Sequence, residues 1–148
     1  MGFLFAGTLM LVREAVAAGT INVGIHATVM RHASISSIRA PRSIEVSPED
    51  VARGYVELGE PIELSIRTNA PEGVLIGFSL KSVAVHAAIL EGEAGKLNLS
   101  RFGATLPVVK QGVGLQTQIV RLRARLELSE AAVPGTISFP IVMFVAPN

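Results

Sequence analysis

Three histidines, His26, His32 and His86, are the side chains of this 148-residue chain best suited to hold a metal ion or carry a proton near neutral pH. Metal sites usually gather ligands at short, regular spacings, and no two of these stand at HxxxH or a comparable interval. His26 and His86 each take an outward position of an alternating run, so a sheet would be able to bring them together. Two solvated surface histidines is the simpler reading. Carboxylate chemistry is equally sparse. Asp50 is the only aspartate, which disfavours calcium loops built from several Asp or Asn. A Ser-His-Asp triad would have to use it, yet Ser47-Pro48-Glu49-Asp50 already explains it as a helix start. No Gly-x-Ser-x-Gly elbow occurs. Gly112-Val113-Gly114 is too little for a phosphate loop and reads as a hairpin tip. There is no Cys, hence no disulfide and no thiolate metal site. No catalytic residue, metal ligand or cofactor is assigned, and the chain reads as non-enzymatic.

Arg121, Arg123 and Arg125 alternate with Leu122, Ala124 and Leu126, so the three guanidinium groups project from one face of a strand. They form either a basic stripe for an anionic ligand or a solvated face paired cross-strand with Glu63, Glu57 or similar residues. Net charge is only +1, and no aromatics interleave the arginines, so nucleic acid is a poor candidate partner. Tyr55 is the only Tyr and there is no Trp, which weakens a sugar-binding reading, since sugars stack on flat rings.

The elements that would position such groups are strands. Hydrophobic content is 49% against 17% charged, enough to bury one core. Period-2 apolar runs mark Ile44/Val46, Ile62/Leu64/Ile66, Val74/Ile76/Phe78/Leu80, Leu97/Leu99 and Val120/Leu122/Ala124/Leu126/Leu128. Val83/Val85/Ala87/Ile89 form another series, after a phase slip near Lys81-Ser82 that suggests a bulge. The last run, Ile137/Phe139/Ile141/Met143/Val145, carries Val142 and Phe144 on its other face, so that face is expected to be buried or to meet a partner. Pro140 interrupts its ladder. Breakers such as Gly59-Glu60-Pro61, Asn69-Ala70-Pro71-Glu72-Gly73 and Pro134-Gly135 separate the runs. One helical turn is expected over 48–53, capped by Ser47 and closed by Gly54.

Ahead of these lies Phe3–Val12, an apolar run too short to span a bilayer, followed by Ala15-Val16-Ala17-Ala18. Residues 1–18 read as a signal peptide and 19–148 as a single domain, placed in the periplasm or at the cell surface after cleavage. No stable membrane span is expected. The next stretch, TINVGIHATVM (Thr20–Met30), places Ile21, Val23, Ile25, Ala27 and Val29 on one face of a strand.

Ile21–Val29, Ile44–Leu58 leading into Leu64–Phe78, and Arg121–Val145 together resemble small secreted β-sandwich proteins of the bacterial fimbrial, pilin-like kind, loosely akin to spore-coat-U-like domains of chaperone–usher pili. The resemblance is of pattern rather than of a catalytic signature. Similar sandwiches place Pro-Gly-Thr-Tyr at the corner entering a late strand. Here Ile137 stands at the Tyr position, so the corner is expected to be held by packing alone. The resemblance implies an all-β, immunoglobulin-like antiparallel sandwich, protein partners (itself or pilus assembly components), and assembly by strand addition. In that scheme Ile21, Val23, Ile25, Ala27 and Val29 are the inserted side chains, and Val142 and Phe144 border a groove or subunit contact. About eight or nine strands would also be enough to close the sandwich unaided, so donation and self-completion both stand. The alternative function is a small periplasmic binding module using the Arg121, Arg123, Arg125 face for an anionic ligand.

Overall fold

The structure is a computed structural model describing residues 29–109 and 112–148. The signal peptide expected over 1–18, the strand positions Ile21, Val23, Ile25 and Ala27, and His26 lie outside the described residues.

The described chain is all-β and antiparallel, with one short helix. Its longest element is the strand read most clearly from sequence. β9 (Gln116–Leu128) buries Val120, Leu122, Ala124, Leu126 and Leu128, each second residue, against the core. β4 (Ile62–Thr68) and β6 (Val85–Gly92) pair on either side of β9, β1 (Ala33–Arg39) extends the sheet beyond β4, and β7 (Gly95–Ser100) extends it beyond β6. β3 (Tyr55–Glu57) pairs with β9 above β4. Gly59-Glu60-Pro61 is therefore not a turn between neighbouring strands. It is a bulge in one interrupted strand, because Leu58 N–H still bonds Ala124 C=O at 3.0 Å and Ile62 resumes pairing opposite Leu122.

The second layer holds β5 (Val74–Leu80) between β8 (Ala104–Val108) and β11 (Ile141–Pro147), with β2 (Ser43–Val46) paired to β10 (Gly135–Ser138). Its inward residues Ile44, Val46, Val74, Ile76, Phe78, Leu106 and Ile141 join those of the first layer in one hydrophobic cluster. Burying such aliphatic side chains contributes ~1.5–3 kcal/mol each, the largest favourable contribution in a chain without disulfides.

Between the layers' upper ends sits α1 (Pro48–Arg53). Ser47 Oγ accepts the Asp50 N–H at 3.1 Å, Asp50 Oδ2 accepts the Ser47 N–H at 3.0 Å, and Gly54 closes the turn at φ 85°. The Ser47 backbone N–H, then its hydroxyl, hold the Asp50 carboxyl below the ordinary aspartate range, helped by Arg53 and opposed by burial.

Several expectations need correction. The phase slip lies at His86, where the register to β9 shifts between Val85 and Ala87, not at Lys81-Ser82. Ala88 and Leu90 thus point inward where Ala87 and Ile89 were expected, and Val83 is exposed in the crossing between layers. Gly112-Val113-Gly114 is no hairpin tip: β8 and β9, on either side, belong to different sheets. The Pro134-Gly135 corner is not held by packing alone. Ser129 Oγ donates to Val83 C=O at 2.6 Å and its N–H to Ala84 C=O at 2.9 Å, anchoring the corner to the neighbouring crossing.

Candidate assembly edge

β10 and β11 are two halves of one extended strand, divided at Phe139–Pro140. Phe139 N–H donates to Arg42 C=O at 3.0 Å, continuing the ladder to β2. Lys81 N–H donates to Pro140 C=O at 2.7 Å, starting the ladder to β5. Antiparallel backbone groups alternate sides residue by residue. The odd residues therefore turn their hydrogen-bonding groups toward β2 in the upper half, and the even residues turn theirs toward β5 in the lower half. At the foot, Asn148 N–H bonding Gly73 C=O at 3.1 Å keeps the same parity. Below Phe139 the odd side has no strand beside it: among the described residues β11 pairs with β5 alone. The outward-turned amides are those of Ile141, Met143 and Val145, in line with the end of β2.

The side chains beneath this edge are correspondingly undercovered. Ile76 and Phe78 of β5 are fully buried, while Met143 and Val145, packed on the same core, are only half-buried. In the first layer, β1 lies against β11 with Ala33 and Ile35, also half-buried. Nothing charged interrupts the second layer here: β5, β8 and β11 contain no Asp, Glu, Lys or Arg. Natural sheets usually guard open edges with such charges.

On the outer face of β11, Val142 and Phe144 are 44% and 56% exposed, the two-faced apolar pattern read from sequence. The Phe144 ring lies over Gly77, its cross-strand partner, where any Cβ would stand 2.0 Å from the ring. Val29, the last of the five alternating positions, is 77% exposed and outside any strand.

The chain enters this region by a fixed route. Asn69 clasps the backbone before β1: its Oδ1 accepts the His32 N–H at 2.6 Å, and its Nδ2 donates to Met30 C=O at 3.0 Å. Thr68 Oγ1 donates to His32 C=O at 2.9 Å. Arg31 pairs with Glu72 at 2.9 Å and reaches Asn148 C=O at 3.4 Å. Met30–His32 is thereby held at the β4–β5 corner, beside the end of β11.

The other candidates are placed as follows. Arg121 pairs with Glu63 at 2.8 Å. Arg125, opposite Glu57, lays its guanidinium 3.6 Å from the Tyr55 ring centre, with Arg53 also near that ring at 4.5 Å. Arg123 stands opposite Glu91 in the register to β6. The outer face of the first layer thus mixes both signs. His86 contacts Leu128 C=O through Nδ1 at 3.1 Å and faces Glu127 at 3.8 Å. Among the described residues no three His, Asp or Glu side chains converge as a metal site, and no helix is long and apolar enough to cross a membrane. Sequence reasoning singled out β11 through Val142 and Phe144, but missed that the bare edge belongs to Met143 and Val145. Pro140 was the available signal, since a strand broken there can change neighbours.

No protein family, curated protein or solved structure matches the chain.

Proposed function

We propose that this chain is a secreted, non-enzymatic structural protein, a fimbrial or pilin-like subunit or accessory that assembles by adding a strand to the free edge of β11. The observation that carries the reading is that edge: outward amides at Ile141, Met143 and Val145 above half-buried apolar side chains. An added strand supplies main-chain hydrogen bonds and, on alternate residues, side chains that complete the core. The immunoglobulin-like arrangement belongs to the same proposal. β1 and β2 act as one strand that changes layers at Ala40-Pro41-Arg42, and β2 fills only the upper half of the place beside β10 and β11. The lower half is the place for the added strand, and Thr20–Met30 has the alternation to fill it.

The test is refolding at high protein concentration, where own and neighbouring segments compete for each edge, followed by sedimentation. Multimers are expected. Val145→Pro, which removes one outward N–H and none of those directed at β5, is expected to abolish them. Multimers undiminished by that substitution, or none at any concentration, overturn the proposal.

A further inference from the structure

We infer that the β11 edge takes β11 of a second copy, paired antiparallel about a twofold axis that passes between the two Phe144 residues. This rests on the reading of β11 as a strand-accepting edge and names its partner.

The register follows from what stands along β11. Among the described residues its odd side is unpaired from Ile141 to Pro147. Above that, β2 and its extension reach down to Arg42, whose carbonyl takes the Phe139 N–H. An added strand therefore begins beside Ile141. β11 itself is 7 residues long, so a second β11 fits the place end to end, with Ile141 opposite the partner's Pro147. The central residue, Phe144, then stands opposite the partner's Phe144. Sliding the second strand toward β10 by two residues would drive the partner's Pro147 against Arg42.

The backbone agrees with this register. Odd residues carry the outward groups, and each meets an odd residue: Ile141, Met143 and Val145 face the partner's Pro147, Val145 and Met143. Every outward amide finds a carbonyl. Pro147 has no N–H to turn outward, and it falls at the rim of the ladder, where only its carbonyl is needed.

The side chains agree too. On the outer face, Val142, Phe144 and Ala146 are exposed in the single chain. Phe144 meets the partner's Phe144 as a non-hydrogen-bonded pair, with Cα atoms ~4.5 Å apart, the closest cross-strand spacing. Val142 meets the partner's Ala146. On the inner face, Met143 stands opposite the partner's Val145, so two half-buried side chains cover each other. Charge does not oppose the union. β5, β8 and β11 hold no Asp, Glu, Lys or Arg, so one sheet shared by two copies brings no like charges together. Both copies use the same patch, and the contact closes on itself. Any other strand reaches the edge only after the copies part.

The experiment uses the full chain, which has no Cys, so introduced cysteines report the register. The wild type is expected to sediment as a dimer and Val145→Pro as a monomer. Phe144→Cys is expected to oxidise to a linked dimer, since its facing Cα spacing lies within the ~4.4–6.8 Å that a disulfide bridges. Val142→Cys lies four residues along the ladder from its own counterpart, ~14 Å away. Phe144→Cys is therefore expected to link at least ~10-fold faster than Val142→Cys, because only its two thiols are held together. Should loss of the Phe144 ring loosen the contact, the double variant Val142→Cys, Ala146→Cys keeps the ring and is expected to link at both ends. The inference is overturned if neither Phe144→Cys nor the double variant outpaces Val142→Cys. If the wild type then still forms multimers that Val145→Pro abolishes, the edge takes a different strand and the proposed function survives. If no multimers form at any concentration, both fall.

Discussion

Gly77 and Gly92 show how differently two strand glycines respond to a methyl group. A Cβ at Gly92 would stand 2.1 Å from the Arg121 carbonyl oxygen, a backbone atom that moves only if the β6–β9 ladder opens. A Cβ at Gly77 meets instead the half-exposed Phe144 ring, which can swing into solvent. Gly92→Ala is expected to cost ~1–3 kcal/mol and Gly77→Ala clearly less, compared by urea unfolding. Near α1, Ser47→Ala is expected to cost ~1 kcal/mol through loss of its cap. The partner carboxyl gives a pH signature. The Asp50 pKa is lowered in the folded state, so it contributes stability above the ordinary aspartate value, lost as pH falls through the lowered one. The stability gap between wild type and Asp50→Asn should therefore narrow on acidification, read from urea midpoints across the acid range. This cap was legible because its whole mechanism sits within consecutive residues, 47–54. The Arg121 partner was legible, since Glu63 follows from cross-strand reasoning, but the Tyr55 ring under Arg125 depends on β3, which the sequence hardly marks.

At the scale of elements, legibility tracked how completely a strand is buried on one face. β4, β5 and β9 alternate without interruption and were read directly. β8 was missed, because Leu106 is its one fully buried residue and Pro107 breaks its pattern. β1 was missed because its serines cluster about a register shift between Ile35 and Ser37. β6 was read out of phase because a bulge at His86 exchanges its faces midway, and a period-2 count cannot see a step it does not expect. The corner between β9 and β10 teaches the same lesson. Lacking a tyrosine at Ile137, it is anchored by Ser129, whose hydroxyl also accepts the Ala131 N–H at 3.3 Å. Ser129→Ala is expected to destabilise the fold by ~1 kcal/mol with an unchanged urea dependence, since it removes hydrogen bonds and leaves the core intact. A neutral outcome would return the corner to packing.

The molecule as a whole has two unlike outer faces. The first layer shows Glu63, Arg67, Glu91, Lys96, Arg121, Arg123 and Glu127 to solvent, whereas the strands β5, β8 and β11 hold no charge at all. That asymmetry separates strand addition from the competing use of the arginine face by their response to salt. Contacts among backbone amides and aliphatic side chains feel little screening, and apolar burial is not weakened by ordinary salt. An anionic ligand held by Arg121, Arg123 and Arg125 would be lost as ionic strength rises, because Arg121 and Arg123 are solvent-facing and the screening length shrinks from ~10 Å at 0.1 M to ~3 Å at 1 M. Multimer formation through the β11 edge should therefore change little over that range, and Arg123→Glu should leave it unaltered. The discriminating measurement is sedimentation of the refolded protein at both ionic strengths, for chains with and without Arg123→Glu. Assembly that collapses in salt or on that substitution would move the working surface from β11 to the opposite face of the sandwich. Assembly indifferent to both ties it to the β11 edge, where outward amides stand above half-covered side chains.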